Sequence, residues 1–285
     1  MIAAIETRAP SASSRARLVL ASRLTYGLSV AAMGAMVLCA GSLSALFQPV
    51  PAWLPAHYAL AIASGTVLVA GGLALLFRKA MAPAALALTI NFFFLWFLLL
   101  NLPTTVTHPT IVGAWEGCGL NLTVVAGGWS LLAFSRPAPA ARVARLFGES
   151  GMRLAQRIFA IGVPLVGVAH FLTEDAVEFV PTWLPLRIDC VYLTGAGHIA
   201  AGLAILFGVV PRLAAVLEAA QITAFVVLEH IPNVCIAPRD RVQWAMLLYA
   251  VAIAASGWLV VATLGKEPPR SADARRVAPT TPRAG

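Results

Sequence analysis

Six ionisable side chains fall within or beside the long apolar segments of the second half of this chain: His170, Glu174, His198, Glu218, Glu229 and His230. An ionisable group within a membrane costs at least about 2.5 kcal/mol, so each needs a partner or a functional role. Imidazole and carboxylate groups change charge under modest changes of environment, which suits them to proton transfer. Tyr192, Arg241 and Trp244 are predicted to ring the same side of the helices and complete a candidate ligand-binding site.

The spacing of these residues predicts which of them share a helix face. Glu218 and Glu229 are eleven residues apart, close to three helical turns, so both face one side of their helix. His170 and Glu174 are four residues apart and could form an ion pair. His198 lies midway along the preceding helix, and it could hydrogen-bond to Glu218 if the two helix faces meet.

Two interpretations of these polar groups stay open. In the first, His170, His198 and His230 hold a quinone or another amphipathic ligand while Glu218 or Glu229 relays protons. In the second, the groups pair with one another and only lock the helices together, as polar contacts within membranes often do. A haem or metal site is not favoured, because the three histidines have no local ligand spacing such as His-x-x-x-His.

The four cysteines contain no CxxC pair, which argues against a thioredoxin-like centre. Cys190 and Cys235 are both predicted on the periplasmic side, where they could form a disulfide. Two buried free thiols are the alternative. Cys39 and Cys118 are predicted to be packing residues within helices.

The composition assigns the chain to the membrane. Of its 285 residues, 60% are hydrophobic and 11% are charged, and the mean hydropathy is +0.84. Soluble domains carry about 25% charged residues. The long continuous apolar segments predict spanning helices rather than a barrel. The net charge of +8 comes from loops and tails, so membrane topology explains it and nucleic acid is not an expected partner.

Apolar runs and prolines predict an all-α integral membrane protein with eight transmembrane helices. The helices are expected at 23–47, 57–77, 81–102, 112–134, 155–173, 189–207, 210–231 and 242–264. They group into an N-terminal tail (1–22), a first four-helix unit (23–134), a basic linker (135–152), a second four-helix unit (153–264) and a disordered tail (265–285). Lysines and arginines concentrate in both tails, the linker and the loops on that side, which predicts a bacterial inner-membrane protein with both termini in the cytoplasm.

The two units are related in sequence. A shift of 130 residues overlays PAWLP at 51–55 on PTWLP at 181–185 and GLALLF at 72–77 on GLAILF at 202–207. Beyond a one-residue gap, a shift of 129 pairs Trp115 with Trp244 and Trp129 with Trp258. These matches predict a parallel internal repeat.

The overlay also predicts a division of labour between the units. The first-unit equivalents of the six ionisable residues are Ala40, Ser44, Leu68, Thr89, Leu100 and Asn101. None of these side chains can ionise. The first unit is therefore expected to be a scaffold and the second to hold the site.

The residues of the second unit resemble the DoxX-like family of small four-helix membrane proteins. The resemblance rests on GVAHF at 167–171, VPTWLP at 180–185, VYLTG at 191–195 and the later Gly202, and extends more weakly to the first unit. The family commonly has a Glu where this chain has His198. The resemblance implies a four-helix fold and, for some relatives, a link to quinone-coupled or thiol redox chemistry.

The function expected from these features is an accessory or ligand-binding component of a membrane redox system, with quinone as the candidate cofactor. Its expected partners are the lipid bilayer, a redox partner subunit and further copies of itself. If the chain is an enzyme, it is part of a membrane oxidoreductase. The alternatives are a small-molecule transporter or channel, and a structural or assembly protein without catalysis.

Overall fold

The computed structural model describes residues 11–135 and 146–264, except for the side chains of residues 174 and 175. Within these ranges it has eight helices long and apolar enough to cross a membrane. They are α1 (Ala12–Ala40), α2 (His57–Ala74), α3 (Arg78–Thr107), α4 (Val112–Phe134), α5 (Gly148–Leu172), α6 (Arg187–Phe207), α7 (Pro211–Ile236) and α8 (Arg241–Thr263). The prediction of an all-helical, multi-pass membrane protein is confirmed.

The first helix differs most from its predicted bounds of 23–47. It begins at Ala12, where the Ser11 hydroxyl accepts a hydrogen bond from the Ser14 backbone N–H and caps the helix. It ends before Gly41, which adopts a left-handed conformation with φ of 61°. A short 3₁₀ helix, Leu43–Leu46, follows. The predicted tail 1–22 is therefore helical from Ala12, while 1–10, most of the linker and the tail 265–285 lie outside the described residues.

The third helix of each half contains a π-helical segment. In α3 it covers Asn91–Asn101 and is followed by the α-helical Leu102–Thr107. In α7 it covers Val226–His230 and is followed by Ile231–Ile236. The sequence overlay gave no sign of irregularity in these helices. Such segments are rare in proteins, and those that do occur are often found at functional sites.

The turns before α2 and α6 have the same geometry. Leu54 donates its backbone N–H to Pro51, and Leu184 donates to Pro181, each at 3.0 Å. Ala56 and Leu186 then adopt positive φ angles of 55° and 52° directly before the two helices begin.

The fourth helix of each half forms the centre of the molecule. Within the most apolar stretch of each helix, 78% of α4 and 72% of α8 is buried inside the protein, against 50% or less of each of the other helices. α4 packs on α5, α8 packs on α1, and α4 and α8 contact each other. The crossing of α4 and α5 is close, because a Cβ on Gly119 would lie 2.6 Å from the carbonyl oxygen of Gly162.

Candidate functional site

A close crossing of α5 and α6 positions the two central histidines. A Cβ on Gly167 would lie 2.7 Å from the Gly195 carbonyl oxygen and 2.8 Å from the His198 Cβ, so only glycine permits this approach. His170 follows one turn after Gly167 on α5, and His198 follows one turn after Gly195 on α6. The small residues therefore bring the two rings to a centroid separation of 5.2 Å.

His198 and Glu218 form the buried pair at the base of the site. Nδ1 of His198 lies 2.6 Å from Oε1 of Glu218, and each residue is only 2% exposed. The hydrogen bond expected between these helix faces is confirmed. The second polar atom of each side chain, Nε2 of His198 and Oε2 of Glu218, is buried and has no hydrogen-bond partner.

His170 connects this pair to the surface of the helices. Its Nδ1 lies 3.2 Å from the Thr194 hydroxyl and 3.3 Å from the Val191 carbonyl oxygen. Phe225 of α7 packs against both imidazole rings, with centroid distances of 6.2 Å to His170 and 5.8 Å to His198. The Nδ1 contacts leave Nε2 of His170 as the atom available for a ligand.

A groove of about 210 Å³ opens beside His170 where α5 ends and α6 begins. Its lining includes Phe171, Ile188 and Tyr192. The Phe171 and Tyr192 rings stack with centroids 5.5 Å apart and planes 3° from parallel. We call this the His170 groove. Its mixture of aromatic, aliphatic and imidazole groups suits an amphipathic ring.

Glu229 and His230 lie apart from this cluster, on the π segment of α7. Oε1 of Glu229 is 3.4 Å from Nδ1 of its neighbour His230, a charge contact without hydrogen-bond geometry. Within the described residues, no hydrogen bond or ring contact joins either of them to His170, His198 or Glu218. The structure therefore brings together three of the expected binding and relay residues and separates these two.

Two further predicted residues belong to the end of the bundle. Arg241 and Trp244 are exposed at the start of α8, and the Trp244 indole N–H donates to the Pro238 carbonyl oxygen at 2.9 Å. Trp115 makes the equivalent bond to Pro109 at the start of α4. Each of these hydrogen bonds joins the start of the last helix of its half to the loop that precedes it. The side chain of Glu174 lies outside the described residues, so its expected pairing with His170 stays a prediction.

The cysteines are free thiols in the structure. Cys190 is partly buried, and its Sγ donates to the Pro185 carbonyl oxygen at 3.8 Å, while Cys235 is exposed. The disulfide between them is not formed here, and the alternative of two buried thiols also fails for Cys235. Cys118 is buried, as a packing residue should be, but Cys39 is exposed.

Glu116 is an acidic residue that the comparison of the units overlooked. It lies half-buried on α4 of the first half. The comparison began from ionisable residues of the second half, so an acid present only in the first half was missed. An acidic side chain inside an apolar span is the signal that could have found it.

The first half also holds a buried polar cluster, which the expectation of a simple scaffold missed. Gln48 is at its centre: its amide donates to Tyr249 at 2.6 Å, and its carbonyl oxygen accepts from Asn101 at 2.7 Å and from Asn121 at 3.2 Å. The Tyr249 hydroxyl donates to Asn121 at 3.3 Å. We call these four residues the central polar cluster. It joins α8 to the first half, and its hydrogen bonds are made internally.

Among the described residues, no group of three His, Cys, Asp or Glu side chains is arranged to hold a metal ion. Comparisons of the chain with family models, curated proteins and solved structures find no match.

Proposed function

We propose that this protein binds a quinone or a similar amphipathic carbonyl compound in its second half and exchanges protons with it. The observation that carries the proposal is the His198–Glu218 pair, which is almost fully buried and keeps one unpartnered polar atom on each side chain. His170 lies between this pair and the groove in which the ring would bind.

The unpartnered atoms favour a ligand site over a purely structural lock. A buried polar atom without a hydrogen bond costs about 1–3 kcal/mol. The central polar cluster satisfies its groups through bonds among Gln48, Asn101, Asn121 and Tyr249. The His198–Glu218 pair leaves Nε2 of His198 and Oε2 of Glu218 without hydrogen-bond partners. A bound ligand or a water chain would supply those partners.

The chemistry of the groups suits proton exchange with a quinone. Reduction of a quinone to a quinol takes two electrons and two protons, and each proton adds to a carbonyl oxygen. His170 protonated on both ring nitrogens would donate its Nε2 proton to the carbonyl at the groove, and the His198–Glu218 pair would return a proton to His170 after each of the two transfers. The two electrons would come from a redox partner subunit.

The proposal includes a duplicated DoxX-like fold in the bacterial inner membrane, with both termini in the cytoplasm. Support for duplication comes from helix bounds that keep the offset of the sequence overlay: Leu102–Thr107 corresponds to Ile231–Ile236, and α4 corresponds to α8. The turns before α2 and α6 also share their hydrogen bonds and positive φ angles. Support for orientation comes from the distribution of lysine and arginine.

A small-molecule transporter is the second candidate. The π segments of α3 and α7 overlap at equivalent positions, 97–101 and 226–230. Irregular helices at matching positions of two repeats are a feature of transporter binding sites. This candidate predicts substrate movement across a bilayer, whereas quinone binding does not.

Titration of the purified protein with decylubiquinone tests the leading proposal. We expect His198→Leu and Glu218→Gln to raise the Kd at least about tenfold, equivalent to about 1.4 kcal/mol. His57→Leu and Glu149→Gln are matched controls at exposed positions and should bind as the unmodified protein does.

Equal affinities in all five proteins, or no saturable binding in any of them, would reject the quinone site. A visible spectrum and a lipid extract of the same preparation would identify a co-purified ligand. Uptake of a solute into liposomes by a protein that binds no quinone would instead support the transporter.

A further inference from the structure

A second groove lies in the first half, between α3 and α4. It has a volume of about 160 Å³ and is lined by Leu86, Thr89, Ile90, Phe93, Phe94, Trp129, Leu132 and Leu146. Phe94 and Ile90 at its rim are 57% and 47% exposed on the outer face of the bundle, which is the face that meets lipid. We call it the Trp129 groove.

Two polar groups of the groove lining have no hydrogen-bond partner. They are the indole N–H of Trp129 and the hydroxyl of Thr89, and both atoms are buried. Thr89 is only 4% exposed. A buried donor without an acceptor is rare enough in proteins to need an explanation, and an absent ligand is one.

In the second half, the indole N–H of the corresponding tryptophan has a hydrogen-bond partner within the protein. Trp258, the overlay equivalent of Trp129, donates its N–H to the Thr223 hydroxyl at 3.1 Å. Phe94 occupies the position equivalent to Thr223 and cannot accept a hydrogen bond. One substitution between the halves therefore leaves the Trp129 N–H free beside an apolar groove.

The position of the groove indicates the kind of molecule that would fill it. Thr89 lies two turns along the helix that begins at Met81, and Trp129 lies five residues before the end of α4. Both lie in the half of their helices nearest Arg78, which precedes Thr89 by eleven residues, about three helical turns. Exposed Arg78 and Lys79 begin α3 at that same end and would attract an anionic headgroup.

We propose that the Trp129 groove binds an anionic phospholipid. One acyl chain lies along Leu86, Ile90 and Phe93, and its ester carbonyl accepts the hydrogen bond of the Trp129 indole. The Thr89 hydroxyl donates to the second oxygen of the ester or to a bound water. The phosphate faces Arg78 and Lys79. This site is independent of the His170 groove and of the ligand bound there.

Native mass spectrometry of the delipidated protein titrated with phosphatidylglycerol tests this site. Trp129→Phe removes only the N–H, and Phe94→Thr supplies the hydroxyl partner that Thr223 gives Trp258. We expect both variants to lower the affinity of one bound phosphatidylglycerol about fivefold, the effect of one hydrogen bond. Trp258→Phe is the matched control and should retain that lipid.

Thermal unfolding of each variant in detergent checks that it is folded, and Thr89→Val provides a second, nearly isosteric change should Phe94→Thr fail to fold. Equal lipid retention by Trp129→Phe, Thr89→Val and Trp258→Phe would overturn the proposal. So would displacement of the lipid by decylubiquinone, or equal affinity for zwitterionic phosphatidylcholine, because the first would assign the groove to a quinone and the second would remove the role of Arg78 and Lys79.

Discussion

Nδ1 of His198 lies 2.6 Å from Oε1 of Glu218, and the two side chains are almost completely buried between α6 and α7. Because both side chains are buried away from water, each depends on the other for its hydrogen bond. Loss of one partner and loss of both should therefore have different consequences.

Glu218→Leu alone should lower the free energy of unfolding by about 1–3 kcal/mol, because it leaves His198 buried without an acceptor. The double variant His198→Leu with Glu218→Leu removes both polar groups and should recover most of that loss. Unfolding by SDS in detergent micelles measures both values. A double variant less stable than the single variant would show that the pair itself stabilises the fold.

Tyr249→Phe should lower the free energy of unfolding by about 1–3 kcal/mol, because it removes the hydroxyl that links Gln48 to Asn121 within the central polar cluster. The same SDS titration applies. Tyr58→Phe is the control, since Tyr58 is 69% exposed. An unchanged stability for Tyr249→Phe would mean that water replaces the hydroxyl in the cluster.

Gly119→Val should separate α4 from α5 and destabilise the protein by about 1–3 kcal/mol, the usual cost of overpacking. The added Cβ would lie 2.6 Å from the Gly162 carbonyl oxygen. Gly113→Val on the same helix is the control, because a Cβ there meets nothing within 4 Å. Equal melting temperatures of the two variants would contradict the close crossing.

Cys235 should react with a membrane-impermeant maleimide added outside spheroplasts, without prior reduction, because it is an exposed free thiol beside the end of α7. Buried Cys118 should not react. Variants that retain one cysteine each give the measurement. For the unmodified chain, labelling of Cys235 only after reduction would restore the Cys190–Cys235 disulfide, and labelling only after lysis would reverse the proposed orientation.

The sequence was sufficient for the number of helices because hydropathy and proline positions report directly on the bilayer. The α4 prediction of 112–134 agrees with Val112–Phe134. The first helix was misplaced because Gly41 and the segment around Leu43–Leu46 are as apolar as a span, while the cap at Ser11 lies among arginines. The π segments could not be predicted, since their residues are as apolar as those of a regular helix.

The site was partly predictable for a related reason. Helical periodicity placed His198 and Glu218 on faces that could meet, and the glycines that bring α5 onto α6 were visible as small residues. Periodicity carries no information about contacts between the halves. The hydrogen bond between Tyr249 and Gln48 depends on such a contact, so it was missed.

The halves meet at two contacts, and in each one the fourth helix of one half packs on the first helix of the other: α4 packs on α5, and α8 packs on α1. A polypeptide cut between residues 136 and 145 would keep every one of these surfaces intact. Two fragments expressed in the same cell should therefore associate and form a functional complex. Either fragment alone should aggregate or be degraded, because its first and fourth helices would face lipid with surfaces shaped for protein.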